Sequence, residues 1–245
     1  MPGIHKGQFV QTSDGVRIAC NHYRRGFPRL VIIAHGFYSS KDVVLLKGLA
    51  DDLTGVDVLI LDFRGHGHST GVFCWTAKEY LDLLAVVQYA DGLYERIGVI
   101  GLSLGAATTL ITSGKTDSID SVIAVSAPAE FGKIEYKFWE MDPAIDIKYN
   151  LFGEGRLGKG IRPGPFWLFK EKPIDVVGKI KQPVFYVHGT RDWLIKPWHA
   201  QALYEKTGSF KKIEMIEGGP HAEYLFLKHR HFLVSMIRDW FQKTL

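Results

Sequence analysis

Two short segments of alternating apolar and polar residues open the chain, Gln8 to Thr12 and Val16 to Tyr23, separated by Ser13-Asp14-Gly15. Asp-Gly between two such runs predicts a β-hairpin. The rhythm then changes. Leu30-Val31-Ile32-Ile33-Ala34 is continuously apolar, as a strand covered on both faces must be. Comparable runs follow at Val56–Leu61, Ile97–Ile100, Val122–Val125 and Val184–Val187, with a last one at Lys212–Ile216. Between them the apolar period lengthens to that of a helix: Leu46, Leu49, Ala50 and Leu53; Tyr80, Leu83, Leu84 and Val87; then Leu225, Phe232, Leu233, Met236, Ile237, Trp240 and Phe241 in one terminal amphipathic helix. Strands alternating with helices imply right-handed crossovers, so the pattern predicts an α/β fold with a mostly parallel sheet and an antiparallel hairpin at its N-terminal edge.

One interval departs from this alternation. Residues 130–172 contain no strand–helix unit but hold Phe131, Tyr136, Phe138, Trp139, Tyr149, Phe152, Phe166, Trp167 and Phe169, with Gly153, Gly155, Gly158, Gly160 and Pro163-Gly164-Pro165. A structureless loop of that length is unusual in a compact domain. The aromatics therefore predict an ordered cap, with most of these rings forming its own core and Trp139 facing the cleft. An insertion that only covers surface, or makes a subunit contact, is the competing reading. The whole chain of 245 residues reads as one α/β domain carrying this insertion.

Composition narrows the function classes. Hydrophobic residues are 46% and charged residues 23%, as in soluble globular chains. The formal net charge of +4 is spread along the chain, and the cluster Lys228-His229-Arg230-His231 falls within a helical pattern, so no nucleic-acid partner is expected. No apolar run approaches the ~20 residues of a membrane span. Met1-Pro2-Gly3-Ile4-His5-Lys6 lacks the apolar core of a secretory signal, so a cytoplasmic location is expected. Cys20 and Cys74 stand far apart without metal or redox spacing and read as free thiols.

The candidate chemistry begins at Gly101-Leu102-Ser103-Leu104-Gly105, between a predicted strand and a predicted helix. A tight strand-to-helix turn displays a serine hydroxyl at a helix N-terminus, where the dipole favours developing negative charge. A serine there can also simply cap the helix. As a nucleophile it needs a base oriented by a carboxylate. Asp192, after the strand ending at His188, and His221, after the strand ending at Ile216, follow in that order; Glu217 and Asp175 compete for the acid role. A tetrahedral intermediate needs two backbone N–H donors. Leu104, next to the nucleophile, supplies one, and Phe37, freed by Gly36, supplies the other. Asp62 with His66 and His68 suggests metal ligands, but alternating glycines make a tight loop the better reading, so no metal is expected.

His35-Gly36, Asp62-Phe63-Arg64-Gly65-His66-Gly67-His68-Ser69, Gly101 to Gly105, His188-Gly189-Thr190-Arg191-Asp192 and Gly219-Pro220-His221 together resemble, in order, the landmarks of the α/β-hydrolase superfamily, across essentially the whole chain. The match is to small carboxylesterases, including cinnamoyl or feruloyl esterase-like and monoacylglycerol lipase or lysophospholipase-like members. The resemblance implies an eight-stranded sheet, no cofactor, a supporting role for Arg64, and a substrate pocket bordered by Trp193, Leu194 and Ile195. Tyr38 departs from the small residue often found in the family's oxyanion loop, so it is expected either to narrow the acyl pocket or to bring a hydroxyl near the oxyanion. The expectation is a serine esterase for a small ester with an apolar or aromatic acyl group. Thioesterase or peptidase chemistry on the same triad, and a ligand-binding receptor on a hydrolase scaffold, are the alternatives.

Overall fold

The computed structural model describes residues 3–135, 138–141, 143–149 and 160–245. Eight strands form a single sheet: β1 (Gly3–Gln11), β2 (Arg17–Arg24), β3 (Arg29–Ala34), β4 (Asp57–Leu61), β5 (Arg96–Leu102), β6 (Ser121–Val125), β7 (Val184–Gly189) and β8 (Lys211–Ile216). Their spatial order is β1-β2-β4-β3-β5-β6-β7-β8. Strand β2 runs antiparallel to both β1 and β4, and all other pairings are parallel. The predicted hairpin is therefore present at the edge. Strand β1 begins five residues earlier than its apolar alternation suggests, because an edge strand needs only backbone pairing on one side and little burial.

The continuous apolar runs are explained by the two faces they serve. Leu30, Ile32 and Ala34 of β3 point to one layer with Leu59, Val99, Val122 and Tyr186. Val31 and Ile33 point to the other with Val58, Ile100, Ile123 and Phe185. Helices α2 (Glu79–Asp91), α3 (Leu104–Ser113) and α5 (Trp198–Lys206) cover the first face through Leu83, Val86, Leu110 and Leu203. Helices α1 (Val44–Asp52) and α6 (Leu225–Thr244) cover the second through Leu46, Leu49, Leu233, Ile237 and Phe241. Helix α4 (Pro173–Val176) is a single turn that returns the chain towards β7. The terminal helix is not one uninterrupted stripe: His229 leaves helical geometry (φ −126°, ψ 23°), and Phe232 is exposed rather than buried.

Within 130–172, 3-10 turns at Phe131–Lys133 and Phe138–Glu140 and a π-helical segment at Pro143–Tyr149 stand where no strand–helix unit was expected. Tyr136, Phe152, Gly153, Gly155 and Gly158 lie outside the described residues. Phe166, Trp167 and Phe169 are exposed, so these three rings do not build the insertion's own core as their apolar character suggested; Trp139, expected at the cleft, is exposed as well. Single bridges tie Ile161 to His66 and Pro163 to Phe73. Cys20 and Cys74 are free and buried, as expected.

The Asp62–Ser69 turn is held by charge. The buried Arg64 guanidinium donates from Nε to Asp82 Oδ1 at 2.8 Å and from Nη1 to Asp14 Oδ2 at 2.8 Å, while its backbone N–H meets Asp82 Oδ2. This is the supporting role implied for Arg64. Of Asp62, His66 and His68, only Asp62 and His68 converge to ligating separation, with Asp42 rather than His66 as the third group. The Lys41 ammonium stands among them, 2.5 Å from Asp42 Oδ2, 3.6 Å from Asp62 Oδ2 and 3.2 Å from His68 Nδ1, and supplies the positive charge those carboxylates need.

Two predictions follow from the packing. A Cβ on Gly105 would stand 2.1 Å from the Ala34 carbonyl oxygen, backbone against backbone, so Gly105→Ala should cost about 3 kcal/mol or more. Gly92→Ala, with open space and helical φ/ψ, should change stability by less than about 1 kcal/mol, and urea unfolding of both checks the contrast. Burial holds the imidazoles of His66 and His199 well below the ordinary histidine value, at about 3 and about 4. Between pH 6.5 and 4 the unfolded chain therefore binds protons that these folded histidines refuse, so each histidine's contribution to stability falls by about 1.4 kcal/mol per unit as the pH is lowered. The pH slope of the unfolding free energy across that range should differ by about one proton between the wild type and His199→Gln.

Candidate active site

The order of strands reverses at β3: the chain moves to β4 on one side of it and β5 on the other. Open α/β sheets bind ligands beyond the carboxyl ends of their strands at such a reversal. The loops in question leave β3 at His35, β5 at Ser103, β6 at Ser126, β7 towards Asp192 and β8 towards His221.

Ser103 follows β5 directly and precedes the first residue of α3. Its backbone is strained, φ 53° and ψ −112°, in a region costly for a residue with a Cβ. Two backbone hydrogen bonds fix the turn: Ser103 N–H to the Val125 carbonyl at 2.9 Å, and Ala107 N–H to the Ser103 carbonyl at 3.1 Å. The flanking glycines are needed for space. A Cβ on Gly101 would meet the Gly105 carbonyl oxygen at 2.4 Å. The Ser103 hydroxyl caps no helix N–H, which removes the capping explanation for this serine. Its Oγ lies 2.9 Å from His221 Nε2.

His221 Nδ1 lies 2.7 Å from Asp192 Oδ2. A carboxylate only accepts, so Nδ1 carries the ring proton and the Nε2 lone pair faces the serine hydroxyl. Asp192 is buried and its second oxygen accepts the N–H groups of Leu194 at 3.1 Å and Ile195 at 2.8 Å. Burial pushes the Asp192 carboxyl up, but the facing His221 and these donors prevail and hold it below the usual carboxylate value. His188 packs at 3.4 Å from the same carboxylate and hydrogen-bonds the Ile195 carbonyl through Nε2 at 2.7 Å. Burial lowers its pKa, so it stays neutral beside the carboxylate. Ser103, His221 and Asp192 are thus brought together from the ends of three strands, with neither Glu217 nor Asp175 in the acid's place.

The loop after β3 is fixed at both sides of Gly36. His35 Nε2 accepts the Phe63 N–H at 3.0 Å, so its protonated Nδ1 donates to the Gly36 carbonyl at 2.7 Å. In a trans peptide the Phe37 N–H then points the opposite way. The Gly36 N–H donates to Glu223 Oε1 at 2.9 Å. Among the described residues no protein acceptor takes the N–H of Phe37 or of Leu104. For Leu104 this follows from its place at the head of a helix, where the first N–H groups lack intrahelical acceptors.

The remaining expected site residues divide. Tyr38 is part-exposed in the same loop with φ 56°. Leu194 is half-buried and Ile195 buried, and both act on Asp192 through their backbone. Trp139 is exposed, one residue from Glu140, whose carboxylate lies 2.5 Å from Lys196 Nζ on the Asp192 loop. Three residues were not foreseen. Phe73 and Trp75 group with Phe37 at ring separations of 5.1–6.1 Å, and the Trp75 indole N–H reaches the Gly164 carbonyl. Trp75 and Thr76 both have positive φ, a strained turn that holds the indole up. Glu223 was hidden for a different reason: it lies 187 residues from Gly36, and nothing local marks the contact.

These features agree with the comparisons. Residues 29–145 match the family model described as alpha/beta hydrolase fold. An uncharacterised protein of Bacillus subtilis, YqkD, is 30% identical over 229 residues, covering 87% of this chain and 71% of that one. Among solved structures, the esterase Pf2001 of Pyrococcus furiosus superposes with a TM-score of 0.79 at 24% identity over 99% of this chain and 93% of that one. Est1E of Butyrivibrio proteoclasticus, solved with ferulic acid bound, gives 0.70 at 21% identity over 97% and 98%. Matching motifs, sheet order and a relative spanning most of its length lead to one conclusion: this chain belongs to the α/β-hydrolase fold family.

Proposed function

We propose that the protein is a serine carboxylic ester hydrolase that works through an acyl-enzyme. The observation that carries this reading is the continuous chain Ser103 Oγ, His221 Nε2, His221 Nδ1 and Asp192 Oδ2, with separations of 2.9 and 2.7 Å, at a strained strand-to-helix turn. Ser103 Oγ attacks the acyl carbon as its proton passes to His221 Nε2. Asp192 holds the imidazole in the required tautomer and stabilises the imidazolium. The Phe37 and Leu104 N–H groups receive the oxyanion, a contribution of about 3 kcal/mol per donor in such sites. His221 returns the proton to the leaving alcohol. Water, deprotonated by the same imidazole, then cleaves the acyl-enzyme and releases the acid. No metal or cofactor enters this scheme.

On the substrate side, Phe37, Phe73 and Trp75 put an aromatic group beside the loop that receives the oxyanion. Residues 130–172 are proposed as a cap over that cleft, with Tyr38, Trp139, Leu194 and Ile195 contributing to its lining. The bridges from Ile161 and Pro163 to His66 and Phe73, and the Glu140–Lys196 ion pair, support this reading. An apolar or aromatic acyl group suits these walls, and the resemblance to an esterase solved with ferulic acid points the same way. Thioesterase or peptidase activity on the same triad has no observation of its own in its favour.

Ser103→Ala should lower kcat on p-nitrophenyl esters by roughly 10⁴-fold or more, and Asp192→Asn by a comparable factor, both folded by circular dichroism. A Ser103→Ala variant with full turnover overturns the mechanism. Butyrate and cinnamate esters should give kcat/KM values at least about tenfold above acetate, since each buried CH₂ adds ~0.8 kcal/mol. Equal values across a graded ester series overturn the proposed acyl preference.

A further inference from the structure

Glu223 lies two residues beyond His221, in the 3-10 turn Ala222–Tyr224, and only 8% of it is exposed. Its Oε1 accepts the Gly36 N–H at 2.9 Å. The fit is tight: a Cβ on Gly36 would meet Oε1 at 2.7 Å and Oε2 at 3.1 Å. Its turn is anchored in turn by Ala222 N–H, which donates to Ser126 Oγ at 3.0 Å, and both Ala222 and Ser126 have positive φ. On the far side of Gly36, His35 Nδ1 holds the carbonyl at 2.7 Å. The two peptides around Gly36 are therefore gripped from opposite directions, one by Glu223 and one by His35. Neither residue reaches the reacting atoms in the proposed reaction. What their grip fixes is the direction of the Phe37 N–H.

We infer that Glu223 is a positioning residue that aims the Phe37 N–H at the oxyanion by holding the Gly36 N–H, and that it makes the base loop and the oxyanion loop one rigid unit. The inference rests on the esterase reading above. A carboxylate near a developing oxyanion opposes it electrostatically, so the role belongs to the reach of the acceptor oxygen rather than to its charge. A side chain of equal length without charge should serve, and a shorter one with charge should not.

The experiment compares E223Q, E223D and E223A with the wild type in steady-state ester hydrolysis and in inhibition by an alkyl boronic acid, which forms a tetrahedral adduct on the nucleophilic serine. E223A and E223D should lose roughly 30- to 100-fold in kcat with KM within about threefold, and boronate affinity should fall with kcat. E223Q should recover at least about tenfold of that loss. If E223A does not fold, the order of E223Q above E223D still decides between reach and charge. An E223A or E223D with wild-type kcat and boronate affinity, or an E223Q as impaired as E223D, overturns the inference while the esterase reading stands. A wild type that hydrolyses no ester and forms no adduct at Ser103 overturns both.

Discussion

The first turn of α3 lies against the end of β3 so closely that only hydrogen fits on the Gly105 Cα: a methyl group there would stand 2.1 Å from the Ala34 carbonyl oxygen and 2.6 Å from that of His35. On one side of this contact is the helix N-terminus that carries Ser103, and on the other is the loop that carries Phe37. Strands β3 and β5 pair in parallel up to Ala34 and Gly101, so both chains leave the sheet at the same height. Every later element of the site is arranged around that meeting of two backbones. The strain in Ser103 is sustained because the surrounding packing over-determines the turn, with the Val125 carbonyl on one side and α3 on the other.

The buried polar groups at the carboxyl edge form a connected set. Asp192 is hydrogen-bonded by His221 and by two backbone donors; Asp62 by the backbone N–H groups of Lys41 and His68, with the Lys41 ammonium nearby; Asp82 is ion-paired with Arg64. Each carboxylate would be costly to bury alone and is matched where it stands. These pairs close the loops between strands without apolar side chains. His35 illustrates the economy: one neutral ring joins the Phe63 N–H to the Gly36 carbonyl and so transmits the order of the β4 end to the loop after β3.

The insertion between β6 and β7 contrasts with this edge. Trp139, Phe166, Trp167 and Phe169 are exposed, while among the described residues backbone bridges and the Arg162 guanidinium attach it to the Gly65–Phe73 loop, and ion pairs join Glu140 to Lys196 and Glu171 to Lys115. Apolar composition alone suggested a core of its own. Burial is a property of partners, however, and a ring in a long insertion is buried only if another element reaches it.

Much of the fold was legible because the period of burial is written locally. Strands covered on both faces, such as Leu30–Ala34, must be apolar throughout, and one-sided helices must repeat every third or fourth residue. Ser103, Asp192 and His221 were legible for a related reason: each sits just beyond a recognisable strand, and in a parallel sheet all such positions share one edge. What the sequence could not contain was the lateral order of the strands, the grip of Glu223 on Gly36 across 187 residues, the raising of Trp75 beside Phe37, and the break at His229. Those depend on contacts between segments whose separation along the chain carries no pattern. The residue types of the candidate site were thus determined locally, and the direction of each N–H and lone pair was decided only by the tertiary packing that fixes the peptide planes.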